Sequence, residues 1–212
     1  MTISPVDYAS LLCSRLCHDL LSPVGALNNG LELLADETDP AMRQRCMELL
    51  AESARTSANK LKFFRLAFGA AGGFGDMVDP REARAAIEGL LSDAKRTTLG
   101  WLVEAEALLK PAVKVLLNLA LIANEALVRG GTLDIGAEEH GGQLEIVVKI
   151  EGAKIILDPE IRATLTNGSD QVTARGAAAW LVHTLAAQTG GVVQVVEPAA
   201  GAMIFGATMA AR

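Results

Sequence analysis

The chain has 212 residues, half of them hydrophobic and only 4% aromatic, enough for one large or two small domains with real cores. A net charge of -6 leaves no broad basic surface to neutralise a phosphate backbone, which argues against general nucleic-acid binding. Three cysteines, Cys13, Cys17 and Cys46, make no disulfide framework, and without a charged leader or an apolar run of roughly 18 residues the sequence reads as cytoplasmic, with reduced thiols and no membrane partner.

From about Ser4 to Ala35, Leu12, Leu16, Leu20, Val24, Leu27, Leu31 and Leu34 recur at three- and four-residue steps, the pattern of one long amphipathic helix. A polar turn, Asp36 to Pro40, precedes a second periodic run through Met42, Cys46, Leu49, Ser53, Ser57, Leu61, Phe64 and Phe68. Joined by so short a turn, the two helices form an antiparallel hairpin. Two helices alone cannot shield both apolar stripes from water. A symmetric homodimer that builds a four-helix bundle is the simplest solution, and packing against a second domain is the alternative. Residues 1–70 are assigned to this hairpin and 71–78 to a linker, because four glycines fall between Gly69 and Gly75.

The second domain is placed at residues 79–212. Asp79-Pro80-Arg81-Glu82 reads as a helix start, with Asp79 as N-cap, and the helix is expected to run to about Asp93. Thr97 to Val103 has strand character, and Pro111 opens a helix through Val128 that stops at Gly130-Gly131. Strands at Thr132–Ala137 and Gln143–Glu151 flank a turn over residues 138–142. Helices at about Asp158–Leu165 and Ala174–Gln188 follow, then strands at Val192–Glu197 and Ala202–Met209. The order predicts an α+β fold, with helices layered on one mixed sheet.

Among the candidate chemical residues, His18 falls nearly opposite the leucine stripe at about 100° per residue and is expected to face solvent. Most single histidines are structural or incidental, but an exposed one midway along a bundle helix is not required by the core. A neutral imidazole offers one ring nitrogen as a nucleophile near neutral pH, and the phosphoramidate it forms transfers readily to a carboxylate. Asp19 is placed to orient that ring or hold its proton. Pro23 deletes a backbone hydrogen bond and is expected to kink or loosen the helix one turn beyond His18. Equal rise along both helices puts the level of His18 near residue 58, flanked by Arg55 and Lys62. With Arg15, these two are candidate contacts for an acidic partner surface or for the transferring phosphoryl charge. Leu11 and Leu21, off the main stripe on the histidine side, are candidate docking contacts for a partner helix.

The run His18-Asp19-Leu20-Leu21-Ser22-Pro23 resembles the H-box of the histidine-kinase dimerisation and phosphotransfer domain, where a histidine, an acidic neighbour and a proline share one helix. The segment Asn118 to Leu127 is similar to the N-box of the kinase ATP-binding domain, with one departure. That family carries two asparagines four apart, the second helping to hold magnesium, and here the second position is Ile122. A branched hydrocarbon cannot ligate a cation that demands oxygen. The glycine-flanked aspartate that reads adenine is replaced by Ile150 to Ile156, and only Gly176 survives of a second glycine cluster at Thr173 to Ala179.

Over nearly its whole length the chain is therefore similar to the ChpT-type histidine phosphotransferases of alphaproteobacteria, which look like kinases stripped of ATP binding. The resemblance implies a dimeric four-helix bundle followed by a degenerate, Bergerat-like ATPase sandwich. It implies a homodimer that accepts a phosphoryl group on His18 from the receiver domain of a hybrid histidine kinase and passes it to response-regulator receivers. No cofactor of its own is expected, since magnesium belongs to the partner receiver. Ser22 stands four residues after the histidine, where phosphatase-competent kinases often carry a residue that positions water, and it serves that purpose or merely caps the bend. The rival readings are an active ATP-dependent kinase, a non-catalytic receiver-binding scaffold, and a metal or redox site at Cys13, Cys17 and His18, which lacks a fourth ligand. His140 and His183 have no evident chemical partner.

Overall fold

A computed structural model describes residues 3–69, 76–92 and 96–211. Helix α1 (Pro5–Asp36) is capped by Ser4, whose side chain accepts from the Asp7 N–H, and α2 (Pro40–Ala67) is capped in the same way by Asp39. Both open on a proline at the first helical position, where the missing N–H costs nothing. They pack side by side as the expected hairpin.

Most of the glycine-rich connection at 71–78 lies outside the described residues. Its last two residues are strand: β1 (Met77–Val78) pairs antiparallel with β3 (Leu108–Leu109). Helix α3 (Pro80–Leu91) is capped by Asp79, and the carboxylate that accepts from the Arg81 backbone and side chain is held below the usual aspartate range by those bonds. Strand β2 (Thr97–Val103), helix α4 (Lys110–Ala126), strands β4 (Gly131–His140) and β5 (Gln143–Glu151), helices α5 (Pro159–Asn167) and α6 (Ala177–Gln188), and strands β6 (Val193–Ala199) and β7 (Ala202–Ala210) complete the order.

Five strands form one mixed sheet in the order β2-β4-β5-β7-β6, with β2 and β4 parallel and the remaining pairs antiparallel. The turn expected over residues 138–142 is tighter than composition suggested. Gly141 and Gly142 both take positive φ, 58° and 81°, so a two-residue loop reverses the chain and Glu138–His140 stay paired in the ladder. Alternate residues of β4, β5 and β7, among them Ile135, Ile146, Ile150 and Phe205, are fully buried under the helical layer.

The hairpin is not a separate body. Phe63, Phe64, Leu66 and Ala67 at the end of α2 lie in the same buried cluster as α3, α4 and the sheet. Asn118, fully buried on α4, donates its Nδ2 to the Ala67 carbonyl at 3.0 Å and to the Lys114 carbonyl at 2.8 Å. At the same end of the hairpin α1 reaches α6, where the Tyr8 ring meets Trp180 in a tilted contact with centroids 4.5 Å apart and its hydroxyl donates to the Ala177 carbonyl at 3.2 Å. The upper half of the hairpin is thus braced against the second lobe. Its far half is open, and Leu31, Leu33, Met42, Met47 and Leu49 remain exposed.

Candidate functional site

His18 sits on α1 with its side chain 85% exposed. Its Nδ1 lies 3.0 Å from Asp19 Oδ1. A carboxylate can only accept, so Nδ1 is the donor, and in the neutral ring the lone pair then lies on Nε2. Asp19 itself is only 18% exposed, and its second oxygen takes a 2.6 Å bond from Arg15 Nε, four residues earlier on the same helix.

Arg15 corrects one expectation. Polar residues of an isolated hairpin face water, but the second lobe covers this one and Arg15 is buried. Its fork is shared among three acceptors: Nε to Asp19, Nη2 to the Glu125 carboxylate at the end of α4, and Nη1 to the Arg175 carbonyl at 3.4 Å. It is therefore not placed to meet a docking protein. Burial works to lower the Arg15 guanidinium, but Glu125 and Asp19 outweigh it and hold it above its ordinary value. Burial likewise pushes the Glu125 carboxyl up, and the Arg15 charge pulls it part of the way back. The Glu125 side chain keeps 38% exposure, because it opens on a cleft of about 770 Å³ lined also by Ser14, His18, Asp19, Ala174 and Arg175.

Helix α1 runs through Pro23 without interruption, and Pro23 is buried. Lacking an N–H, it leaves the carbonyl of Asp19, four residues back, without a helical donor. Lys60 of α2 supplies one: its Nζ donates to that carbonyl at 3.0 Å. The proline thus frees an acceptor beside the histidine, and the second helix ties it down.

Ser22 is exposed and opens on a neighbouring cleft with Asp19, Lys60, Phe64, Asn124 and Glu125. Leu21 is 74% exposed, whereas Leu11 is half-buried beside Asp7, Glu160 and Thr173. Arg55 is exposed. Lys62 is exposed too, but it lies toward α3 with Asn59, Arg65 and Glu82 and not at the histidine, where Lys60 stands instead. Lys60 and Glu125 were missed; equal rise along the hairpin pointed to the right level of α2 and so to Lys60, while nothing local marked Glu125.

Cys13 and Cys17 are exposed free thiols, and among the described residues no three potential metal-ligating side chains gather. His183 is occupied by a 3.0 Å contact between its Nδ1 and the Leu165 carbonyl. No helix of the described residues is long and apolar enough to cross a membrane.

Two stretches that depart from the kinase motifs are packed into the second lobe. Ile122 is buried at 3% exposure, and Ala177, Ala178 and Ala179 pack into the core at the start of α6. The stretch after β5 is pinned to the end of α4 by Ile156 N–H to Ala126 and Val128 N–H to Lys154, and by a bridge between Leu127 and Ile155.

Comparison with known proteins agrees with this architecture. The family described as the histidine phosphotransferase C-terminal domain matches residues 80–201. A protein phosphotransferase ChpT of Brucella abortus is 39% identical over 161 residues, 76% of this chain and 75% of that protein. A solved bacterial phosphotransferase superposes with a TM-score of 0.85 at 32% identity over 98% of both chains. The Acinetobacter baumannii histidine kinase AdeS shares the fold alone, at 13% identity and a TM-score of 0.50 over 92% of this chain and 98% of that one. With the family model covering more than half of its length and a ChpT relative at that identity, this chain belongs to the ChpT-type histidine phosphotransferases and acts as a phosphotransferase in a phosphorelay.

Proposed function

We propose that His18 is the phosphoacceptor and that the phosphoryl group passes through its Nε2. The observation that carries this reading is an exposed imidazole whose Nδ1 is held by a carboxylate, on a hairpin helix of a phosphotransferase. The Nε2 lone pair attacks the phosphorus of a receiver's aspartyl phosphate. The bond from phosphorus to the carboxylate oxygen breaks, and its electron pair leaves with the aspartate. The ring then bears a positive charge, which the Asp19 carboxylate stabilises through the Nδ1 proton. In the onward step the N–P bond breaks, its electrons return to the ring, and the phosphoryl group joins the next aspartate. The Nδ1 proton need not leave at any stage.

Receiver domains, of a hybrid histidine kinase upstream and of response regulators downstream, are the partners. Leu21 and Arg55 remain open for docking, with Leu11 and Lys62 at the margins, and magnesium enters with the receiver. Two copies pair through the far half of the hairpin, where five large apolar side chains have no cover within one chain. The protein works in the cytoplasm and does not phosphorylate itself from ATP, a reading supported by the packed residues at Ile122 and Ala177–Ala179.

The test is to mix the protein with a radiolabelled phospho-receiver and magnesium. Acid-labile label is expected on the wild type and none on His18→Ala, with unchanged thermal stability because the ring is exposed. Label retained by a folded His18→Ala variant overturns the assignment.

A further inference from the structure

We infer that Glu125, on the helix that in kinases serves the nucleotide, is a positioning residue for the phosphoacceptor, acting through Arg15 and Asp19. The inference rests on the assignment of His18 above. Four side chains form one line of contacts: the Glu125 carboxylate accepts from Arg15 Nη2, Arg15 Nε donates to Asp19 Oδ2, and Asp19 Oδ1 accepts from His18 Nδ1. The first link joins the two lobes, and the last touches the reacting ring.

Asp19 has two oxygens and two claimants. A guanidinium beside a carboxylate prefers to take both of its oxygens in a forked pair. Arg15 does not, because Glu125 holds Nη2 and the Arg175 carbonyl holds Nη1. One oxygen of Asp19 is thereby reserved for His18. Without the Glu125 charge, Arg15 is free to turn its fork onto both oxygens, and the imidazole loses the acceptor that fixes its tautomer. Each tautomer then exposes a different atom at the attacking position, a nucleophilic lone pair or an N–H. Arg175 lines the same cleft, and its charge adds to that of Arg15 in drawing the Glu125 carboxyl down against the larger upward push of burial.

The arrangement also accounts for the second lobe. A fold that holds no nucleotide still has a use if it supplies the carboxylate that disciplines Arg15. Glu125 touches neither phosphorus nor imidazole, so its contribution is orientation alone.

Glu125→Gln keeps the shape and removes the charge, and Glu125→Asp keeps the charge on a shorter arm. Single-turnover transfer from a saturating phospho-receiver is expected to slow roughly tenfold in Glu125→Gln, the scale for releasing a group one step removed from a reacting atom, with partial recovery in Glu125→Asp. Receiver affinity is expected to change less than about threefold, since docking does not depend on the tautomer. Nitrogen-15 spectra of the His18 ring should show an Nδ1-protonated tautomer in the wild type and a mixture in Glu125→Gln. A loss confined to affinity, or an unchanged tautomer in a folded variant, overturns the inference. His18→Ala run alongside separates the two claims: if it still accepts label, the phosphoacceptor assignment fails, whereas a silent His18→Ala with a wild-type Glu125→Gln refutes only the role of Glu125.

Discussion

The bond from Lys60 to the Asp19 carbonyl exists because Pro23 cannot make it, and that dependence is measurable. In Lys60→Met the aliphatic stem is kept and the donor is lost, leaving a carbonyl in the partly buried cleft between α1 and α2 with no helical N–H in reach. A hydrogen bond to a charged group contributes about 1.5–3 kcal/mol, and the partial exposure of this one places it at the lower end, about 1.5 kcal/mol. In Pro23→Ala the new N–H of residue 23 takes the same carbonyl, so removing Lys60 in that background should cost close to nothing. The double-mutant cycle should therefore return a coupling of about 1.5 kcal/mol. Urea unfolding of the four proteins at one fixed protein concentration reads it directly; with m of about 3 kcal/mol per molar, Lys60→Met alone moves the midpoint by about 0.5 M. Strict additivity, with coupling below about 0.3 kcal/mol, would refute the idea that the proline creates the acceptor. It would mean that Lys60 is held by something other than the vacancy in the helix ladder.

Restoring the missing asparagine, Ile122→Asn, is expected to bring back no magnesium-dependent nucleotide binding by calorimetry. It should destabilise the fold by about 3–5 kcal/mol, from lost apolar burial plus an unsatisfied amide. Nucleotide binding by this variant would show a latent site and not a closed one. Burial lifts the Tyr8 phenol well above the ordinary tyrosine value, so between that value and its folded pKa the native state holds a proton the unfolded chain has released. Stability should therefore fall as pH rises above about 10, and Tyr8→Phe, at the cost of its bond to Ala177, should show a shallower alkaline loss in thermal melts followed to high pH.

Much of this fold was readable from periodicity, and the exceptions have particular causes. The two long helices announce themselves because heptad-like spacing persists over many turns, and strand β2 was placed at Thr97–Val103 because its β-rich residues are bounded by polar ones. Strands of two residues such as β1 and β3 carry no period at all; only their pairing defines them. The exposure of His18 followed from a helical angle, since no described element covers that side chain. Arg15 as a candidate contact fails for another reason: a polar helix position is open to solvent only until another element packs on it, and α4 and the segment before α6 do so here. Lys60 and Lys62 are two residues, about 200°, apart on α2. The level was inferable, but the choice between them depended on where the hairpin faces its neighbour. Glu125 is the sharpest case. It sits inside the run that resembles a nucleotide-binding helix, and the comparison there is dominated by what Ile122 has lost. A substitution that removes a ligand is visible in a single chain because the lost chemistry is specific. A carboxylate that gains a partner 110 residues away in sequence leaves no local mark, and only the folded contact with Arg15 reveals it.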